Sequence, residues 1–257
     1  MVCVPTGVAV VAYLLRGRPH PDRVLVGESV SLPKPYYEKD GIVIYNADCR
    51  EILPHLPKVD LVLTDPPYGI NTKSDGGGKL SPWADLCNSA FWYADWLNMC
   101  KSRLKDTGGL WTFLNWRSMV TFQKASCDIC WPIESLLVWD KDWIGPGGQR
   151  GLRPSYEMVA LFAMPNFSIK DRGLPDIQKW PWSGIKPNGH PAEKPIKGMS
   201  WLIQNGGGAE IILDPFVGSG TTLVAAKILG KEAIGIEIEE RYCEIAAKRL
   251  AQEVFKF

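Results

Sequence analysis

The chain has 257 residues, with 29 Lys+Arg against 28 Asp+Glu and a formal net charge of +1. With 46% hydrophobic and 22% charged residues it has the make-up of a globular protein with a sizeable core, which excludes a disordered or collagen-like chain. The near-zero charge also argues against a nucleic-acid partner, provided that the charge is evenly spread.

In chain order, the apolar stretch 8–15 resembles a short secretory segment. No positive charge precedes it and Arg16 and Arg18 follow it, so a signal peptide is disfavoured. The stretch Ser31-Leu-Pro-Lys-Pro35 reads as a linker, making residues 1–35 a loosely ordered extension of a domain over 36–257. A strand is expected over 42–45, a short helix over 50–56 and a second strand over 61–64. A loop rich in small and polar residues (71–82) then leads to a helix on which Phe91, Trp92, Trp96, Met99, Cys100 and Leu104 repeat at helical spacing. Buried strands are expected over 110–114, 135–139 and 158–163.

Between the second and third of these strands, prolines and glycines crowd the loop 141–155. Prolines accumulate again after Ala163 (Pro165, Pro175, Pro181, Pro187, Pro191, Pro195). Regular alternation resumes with a helix over 196–204, a strand over 211–213, a helix over 221–229, a strand over 232–236 and a helix over 241–252. Strands alternating with helices predict an α/β fold with a largely parallel sheet covered on both faces.

Seven cysteines, an odd number in a chain too long to need disulfide staples, point to a reduced, cytoplasmic protein. Cys127 and Cys130 form a C-x-x-C without a second pair, and His20, His55 and His190 have no ligand-like spacing. The two thiols therefore read as core residues and no metal is expected. No apolar run approaches the ~20 residues of a membrane span, so no membrane partner is expected.

Two motifs carry chemistry. Thr64-Asp-Pro-Pro-Tyr-Gly69 follows an apolar strand, and its two prolines end that strand in a stiff corner. The corner would present Asp65, the backbone carbonyls and Tyr68 at the carboxyl edge of the sheet, where open α/β sheets bind ligands. Asp214-Pro-Phe-Val-Gly-Ser-Gly-Thr-Thr222 joins a strand to a helix, and Glu237 closes the following strand. A glycine turn with an acidic strand end in register suits a cofactor containing a ribose.

Phosphate cofactors fit less well. Gly76-Gly-Gly-Lys-Leu80 lacks the Ser or Thr and the first Gly of a P-loop, and Leu223 stands where the third glycine of G-x-G-x-x-G would be. A nucleoside cofactor without a pyrophosphate is the better match.

Together the motifs resemble the S-adenosylmethionine-dependent amino-methyltransferases of DNA. His190-Pro-Ala-Glu-Lys-Pro195 is similar to the family's H-P-x-x-K-P segment. Asn46-Ala-Asp-Cys49 is similar to its G-D-C strand end, with Ala47 in place of Gly. The catalytic motif precedes the cofactor motif, which is the circularly permuted order of the β class. The resemblance implies a Rossmann-like methyltransferase fold with a catalytic half (36–163), a short target-recognition insert (about 141–189) and a cofactor half (190–257).

It also implies roles. Asp65, Pro66, Pro67 and Tyr68 would form the catalytic corner. Asp65 and the Pro66 carbonyl would accept the two N–H bonds of an exocyclic amino group, and Tyr68 would stack on a base flipped from the duplex. Phe216, Gly218, Gly220, Thr221 and Thr222 would cradle the cofactor's methionine end, whose carboxylate suits a helix start, and Asp214 would belong to the same cofactor site. Glu237 would hold the ribose and Asp48 the adenine, while Lys194 and Pro195 would close the pocket. A plain role as the start of the next helix competes for Pro195. The loop 71–82 is a candidate flap over the flipped base.

Within the family that the motifs resemble, Asp rather than Ser before Pro-Pro-Tyr implies adenine N6 as the acceptor, with cytosine N4 as the alternative. A C5-cytosine enzyme would need a Pro-Cys dipeptide, which the chain lacks. The motif order disfavours RNA-guanine and protein-amide acceptors, although some RNA-adenine enzymes keep it, and a silent binding homologue is disfavoured by both motifs being intact.

Double-stranded DNA is the implied partner. A homodimer and a cognate restriction endonuclease are further candidates, in a bacterium or, for a phage-encoded enzyme, in its host. The DNA-contact candidates are Lys141, Arg150, Arg153, Arg172, Lys179 and Lys186, interleaved with Trp143, Trp180 and Trp182, for which base stacking and core packing compete. Residues 141–197 hold nine basic against five acidic residues, whereas 206–257 hold six against eight. The neutral total thus conceals a basic segment, and the opening objection to nucleic acid falls.

Overall fold

The computed structural model describes residues 32–67, 89–144, 151–182 and 193–252. The expected extension before Leu32, Tyr68, the loop 71–82, Arg150, Lys186 and His190 lie outside the described residues.

The elements are β1 (Tyr37–Lys39), β2 (Ile42–Asn46), α1 (Cys49–Ile52) with a 3-10 turn at Leu53–His55, β3 (Val59–Thr64), α2 (Ala90–Arg103), β4 (Leu104–Leu114), α3 (Met119–Asp128), β5 (Ser135–Asp140), β6 (Tyr156–Ala163), β7 (Ile177–Lys179), α4 (Ile196–Gln204), β8 (Ile211–Asp214), α5 (Thr221–Ile228), β9 (Glu232–Glu237) and α6 (Glu240–Ala251). The strands pair in the order β1-β2-β9-β8-β3-β4-β6-β5-β7. Edge strand β1 is antiparallel to β2, and β6 is antiparallel to both β4 and β5. The other pairings are parallel, as the alternating pattern predicts.

Residue alternation divides the core in two. Leu61 and Leu63 of β3, Trp111 and Phe113 of β4 and Ile212 of β8 face α4, α5 and α6. Val62, Leu110 and Leu213, from the same strands, face α1, α2 and α3. A period of two on each strand therefore buries both faces, which requires helices on both sides.

Four local readings change. The buried face of α2 is Tyr93, Trp96, Leu97 and Cys100, whereas Phe91, in its first turn, is 83% exposed and Leu104 already belongs to β4. Helix α3 was not expected, because Val120, Thr121, Phe122 and Cys127 are weak helix formers; burial of Phe122 and Ala125 holds it. Strands β1 and β7, of three residues each, are too short to carry a pattern. Cys127 and Cys130 are exposed rather than core thiols. Cys127 lies beside, not on, the Phe122–Ala125–Ser126 face, and Cys130 sits in the turn after α3 with φ 49°.

Strand order turns outward from the β8/β3 pair, β3 leading to β4 on one side and β8 to β9 on the other. The carboxyl ends of this pair form the crevice in which open α/β sheets hold ligands.

Candidate active site

Four adjacent parallel strands bring acidic residues to that edge. Asp48 follows β2 by two residues, Glu237 ends β9, Asp214 ends β8 and Asp65 follows β3. Between them and α2 lies a cavity of about 350 Å³, lined by Asp48, Asp65, Lys194, Phe216, Gly218 and Glu237 among others. That volume falls within the range of small-ligand sites.

The glycine turn is shaped by close contacts. Gly218 (φ 53°) and Gly220 (φ 85°) adopt left-handed backbone that favours glycine. A Cβ on Gly220 would stand 2.7 Å from Ala246 Cβ, and one on Gly235 would stand 2.4 Å from Val217 Cγ2. The turn thus presses onto β9 and α6 and leaves the start of α5 facing the cavity. Arg249 of α6, which the motifs do not include, clamps it by donating to Ser219 O at 2.7 Å and Thr221 Oγ1 at 3.2 Å. The same guanidinium pairs with Glu193 at 2.8 Å. Glu193 belongs to the segment that enters α4, so this pair ties the two sides of the pocket together.

Glu237 is held by backbone: Gly218 N–H donates to Oε2 at 2.8 Å and Glu239 N–H to Oε1 at 2.9 Å. Burial nevertheless raises its pKa. Asp214 is buried and accepts from Thr64 Oγ1 at 2.7 Å and Phe216 N–H at 3.1 Å, and burial pushes its pKa up to about 6. Asp48 caps α1 through Arg50 N–H and also receives the Arg50 guanidinium, whose hydrogen bonds hold its carboxyl below the usual range. The pole expected to meet adenine is therefore an Asp48–Arg50 pair rather than a lone carboxylate.

Asp65, Pro66 and Pro67 reach the same cavity as the glycine turn, although the two motifs stand about 150 residues apart. Lys194, expected to close the cofactor pocket, also lines it, but its ammonium donates to Asp65 Oδ2. The same ammonium lies 3.3 Å from Glu157 Oε2 and 4.9 Å from the Phe113 ring centroid. Burial would lower the Lys194 pKa, but Asp65 and Glu157 together raise it. Glu157, outside every motif, also accepts from Lys141. Pro195 stands at the N-cap of α4, with extended backbone.

The expected DNA contacts separate. The hairpin loop between β5 and β6 leaves the carboxyl edge, closed by Lys141 N–H to Ser155 O at 3.0 Å. It carries Arg153, whose guanidinium donates to Ile144 O, and the fully exposed Leu152. Lys179 is exposed near the same edge and pairs with Asp142 at 2.8 Å.

Two candidates are corrected. Lys141 turns inward to Glu157, between the rings of Trp139 and Trp182. Arg172 lies two residues beyond Lys170, in a loop that β6, being antiparallel, delivers to the opposite edge of the sheet. There Phe167 packs on Gly109 and Gly207, and Lys170 lies against Gly208. Of the tryptophans, Trp180 is core, 2% exposed and stacked on Gly198. Trp143 and Trp182 are half-buried against each other with ring centroids 4.8 Å apart.

Trp116, not singled out in the sequence, follows β4 at the catalytic edge. It is 57% exposed, with the Arg117 guanidinium 4.7 Å over its ring. Among the described residues no cluster of three or more His, Cys, Asp or Glu is placed to hold a metal, and no helix is long and apolar enough to cross a membrane.

Comparison with known proteins covers both halves of the site. Residues 59–248 match the N6/N4 family described as DNA methylase. The chain is 26% identical over 272 residues to the type II methyltransferase M.ScaI of Streptomyces caespitosus, covering 87% of this chain and 86% of that one. Among solved structures, an M1.HpyAVI–SAM complex aligns with a TM-score of 0.62 at 27% identity, over 82% of this chain and 100% of that one. The cytosine-N4-specific PvuII DNA methyltransferase aligns with a TM-score of 0.66 over 87% and 91% of the two chains; at 17% identity this likeness concerns the fold alone.

Proposed function

The chain belongs to the N6/N4 DNA methylase family, and from that premise we propose that it transfers a methyl group from S-adenosylmethionine to the exocyclic N6 of an adenine flipped out of double-stranded DNA. The observation that carries this reading is the sharing of one cavity by Asp65-Pro66-Pro67 and by Gly218, Ser219 and Thr221 of the glycine turn.

The cavity's chemistry fits the cofactor. The start of α5 offers backbone N–H groups to a carboxylate. Glu237, fixed by two backbone donors, has further lone pairs for ribose hydroxyls. Phe216, packed edge-on against Trp96 with centroids 5.5 Å apart, gives the pocket a rigid apolar wall. When bound, S-adenosylmethionine supplies an electrophilic methyl group on a sulfonium.

The chain's own task is to make a poor nucleophile reactive. The lone pair of an exocyclic amino group is delocalised into the ring. Asp65 and the Pro66 carbonyl, accepting its two N–H bonds, draw the nitrogen toward tetrahedral geometry and free that lone pair. The proline corner holds both acceptors in place, so positioning and electrostatics carry the step. Arg153, Lys179 and the Trp116–Arg117 stack, all at the catalytic edge, are suited to phosphates and unstacked bases. Arg150 and Lys186 complete that proposed set from outside the described residues.

Incubation with methyl-labelled S-adenosylmethionine and unmodified duplex DNA, followed by nucleoside analysis, tests the reading. Label in N6-methyladenine is expected. Label in N4-methylcytosine would move the assignment to cytosine, and label in protein alone would overturn it. Asp65→Ala should abolish transfer while cofactor binding, measured by calorimetry, stays within a few-fold of wild type.

A further inference from the structure

Glu157 stands on β6, opposite Trp139 of β5, and no motif includes it. Its side chain is only 18% exposed, and its carboxylate faces two ammonium groups. Lys141 donates to Oε1, and Lys194 lies 3.3 Å from Oε2 while donating to Asp65. Burial would raise the Glu157 pKa, but Lys194 and Lys141 together lower it, so the carboxylate is ionised near neutral pH. The four charges run in a line, Asp65–Lys194–Glu157–Lys141, along aromatic walls formed by Phe113, Trp139 and Trp182.

Such a line is a poor device for stability. Taking charges out of water costs several kcal/mol per ion, and well-packed apolar residues commonly do as well or better. What the line does supply is geometry. A carboxylate at the end of a flexible side chain can rotate, and the Lys194 ammonium on Oδ2 fixes that rotation for Asp65. Lys194 would itself swing with Asp65 if nothing held it from behind, and Glu157 does so. Lys141, in turn, stands where the β5–β6 hairpin closes, its backbone N–H donating to Ser155 O.

We propose that Glu157 is a positioning residue for methyl transfer: through Lys194 it sets the orientation of the Asp65 carboxylate, and through Lys141 it ties that orientation to the closing Lys141–Ser155 pair of the β5–β6 hairpin. The inference rests on the reading of Asp65 as the acceptor of the target amino group. It assigns Lys141 to the active site's supporting frame rather than to a DNA phosphate.

The test uses the full chain with a duplex that wild type methylates, in single-turnover experiments at saturating S-adenosylmethionine. Glu157→Gln keeps the shape and removes the charge. It should slow the methyl-transfer rate by on the order of tenfold or more while the Kd for cofactor and for DNA stay within about twofold of wild type. Glu157→Asp keeps the charge on a shorter arm and should recover part of the loss. A purely structural role would instead move melting temperature, cofactor affinity and rate together.

If Glu157→Gln does not fold, Glu157→Asp serves alone, with an expected loss of on the order of threefold in rate at unchanged affinities. Folded Glu157→Gln running at the wild-type rate overturns the positioning role, as does Glu157→Asp at that rate where it is the only variant that folds; either result leaves the methyltransferase assignment intact. Failure of wild type to methylate DNA would overturn both.

Discussion

The Thr64 hydroxyl donates to the Asp214 carboxylate across 2.7 Å, and both side chains are buried. Thr64 ends β3 and leads into the catalytic corner, while Asp214 ends β8 and leads into the glycine turn. One hydrogen bond thus couples the two motifs at the point where strand order reverses. Thr64→Val preserves shape and removes the donor, leaving a buried acceptor short of a partner. It should lower stability by about 1–3 kcal/mol, read as a shift in urea midpoint at constant m-value. An unchanged midpoint would show that the two strand ends are held by packing alone.

Asp214 also makes stability depend on pH. Its folded pKa, about 6, lies above the ordinary aspartate range because burial disfavours the charge. The native state therefore binds this proton more tightly than the unfolded state. Its contribution to stability is fully present below about pH 4 and is lost as pH rises through about 6. Asp214→Asn lacks the titration, so between pH 4 and pH 7 relative stability should shift toward the variant by on the order of 2–3 kcal/mol. Unfolding of both proteins across that range provides the measurement, and a pH-independent difference would contradict it.

Glu237 offers a separation of binding from chemistry. Its carboxylate is organised by Gly218 and Glu239 N–H groups at the end of β9, two strands from the Asp65 corner that follows β3. Removing it by Glu237→Ala should raise the cofactor Kd by on the order of tenfold to a hundredfold, the equivalent of one charged hydrogen bond at about 1.5–3 kcal/mol. The single-turnover rate at saturating cofactor should change far less. A collapse of that rate with cofactor affinity intact would place Glu237 in the chemistry instead.

Trp116 and Arg117 form an exposed stack at the catalytic edge. Stacking on an unstacked base contributes about 1–3 kcal/mol, so Trp116→Ala should weaken DNA binding by on the order of tenfold to a hundredfold. Cofactor affinity should stay unchanged. Fluorescence anisotropy with a labelled duplex, repeated at two salt concentrations, separates this loss from a phosphate contact. Loss of stacking leaves the salt slope as it was, whereas loss of a phosphate contact makes it shallower.

Much of this architecture is written locally. The α4 span is the one that its apolar spacing predicts, Ile196–Gln204, and most long strands begin and end within a residue or two of their apolar runs. Both motifs sit at strand ends because two prolines must stop β3 and two left-handed glycines must turn β8 into α5. Weakly patterned pieces escaped. Helix α3 depends on burial of Phe122 and Ala125, and β7 depends on its pairing with β5 rather than on any property of Ile177–Lys179.

The sequence by itself therefore determined the α/β class, the order of the motifs and the identity of the residues at the carboxyl edge, because helix period, strand period and turn chemistry act over a few neighbours. Only the tertiary structure decided which distant charges meet. It sent Arg172 to the far edge through the antiparallel course of β6, turned Lys141 inward, and set Lys194 on Asp65 with Glu157 behind it. Electrostatic partners are chosen by distance and burial, and neither is readable along the chain until the sheet has brought its strands together.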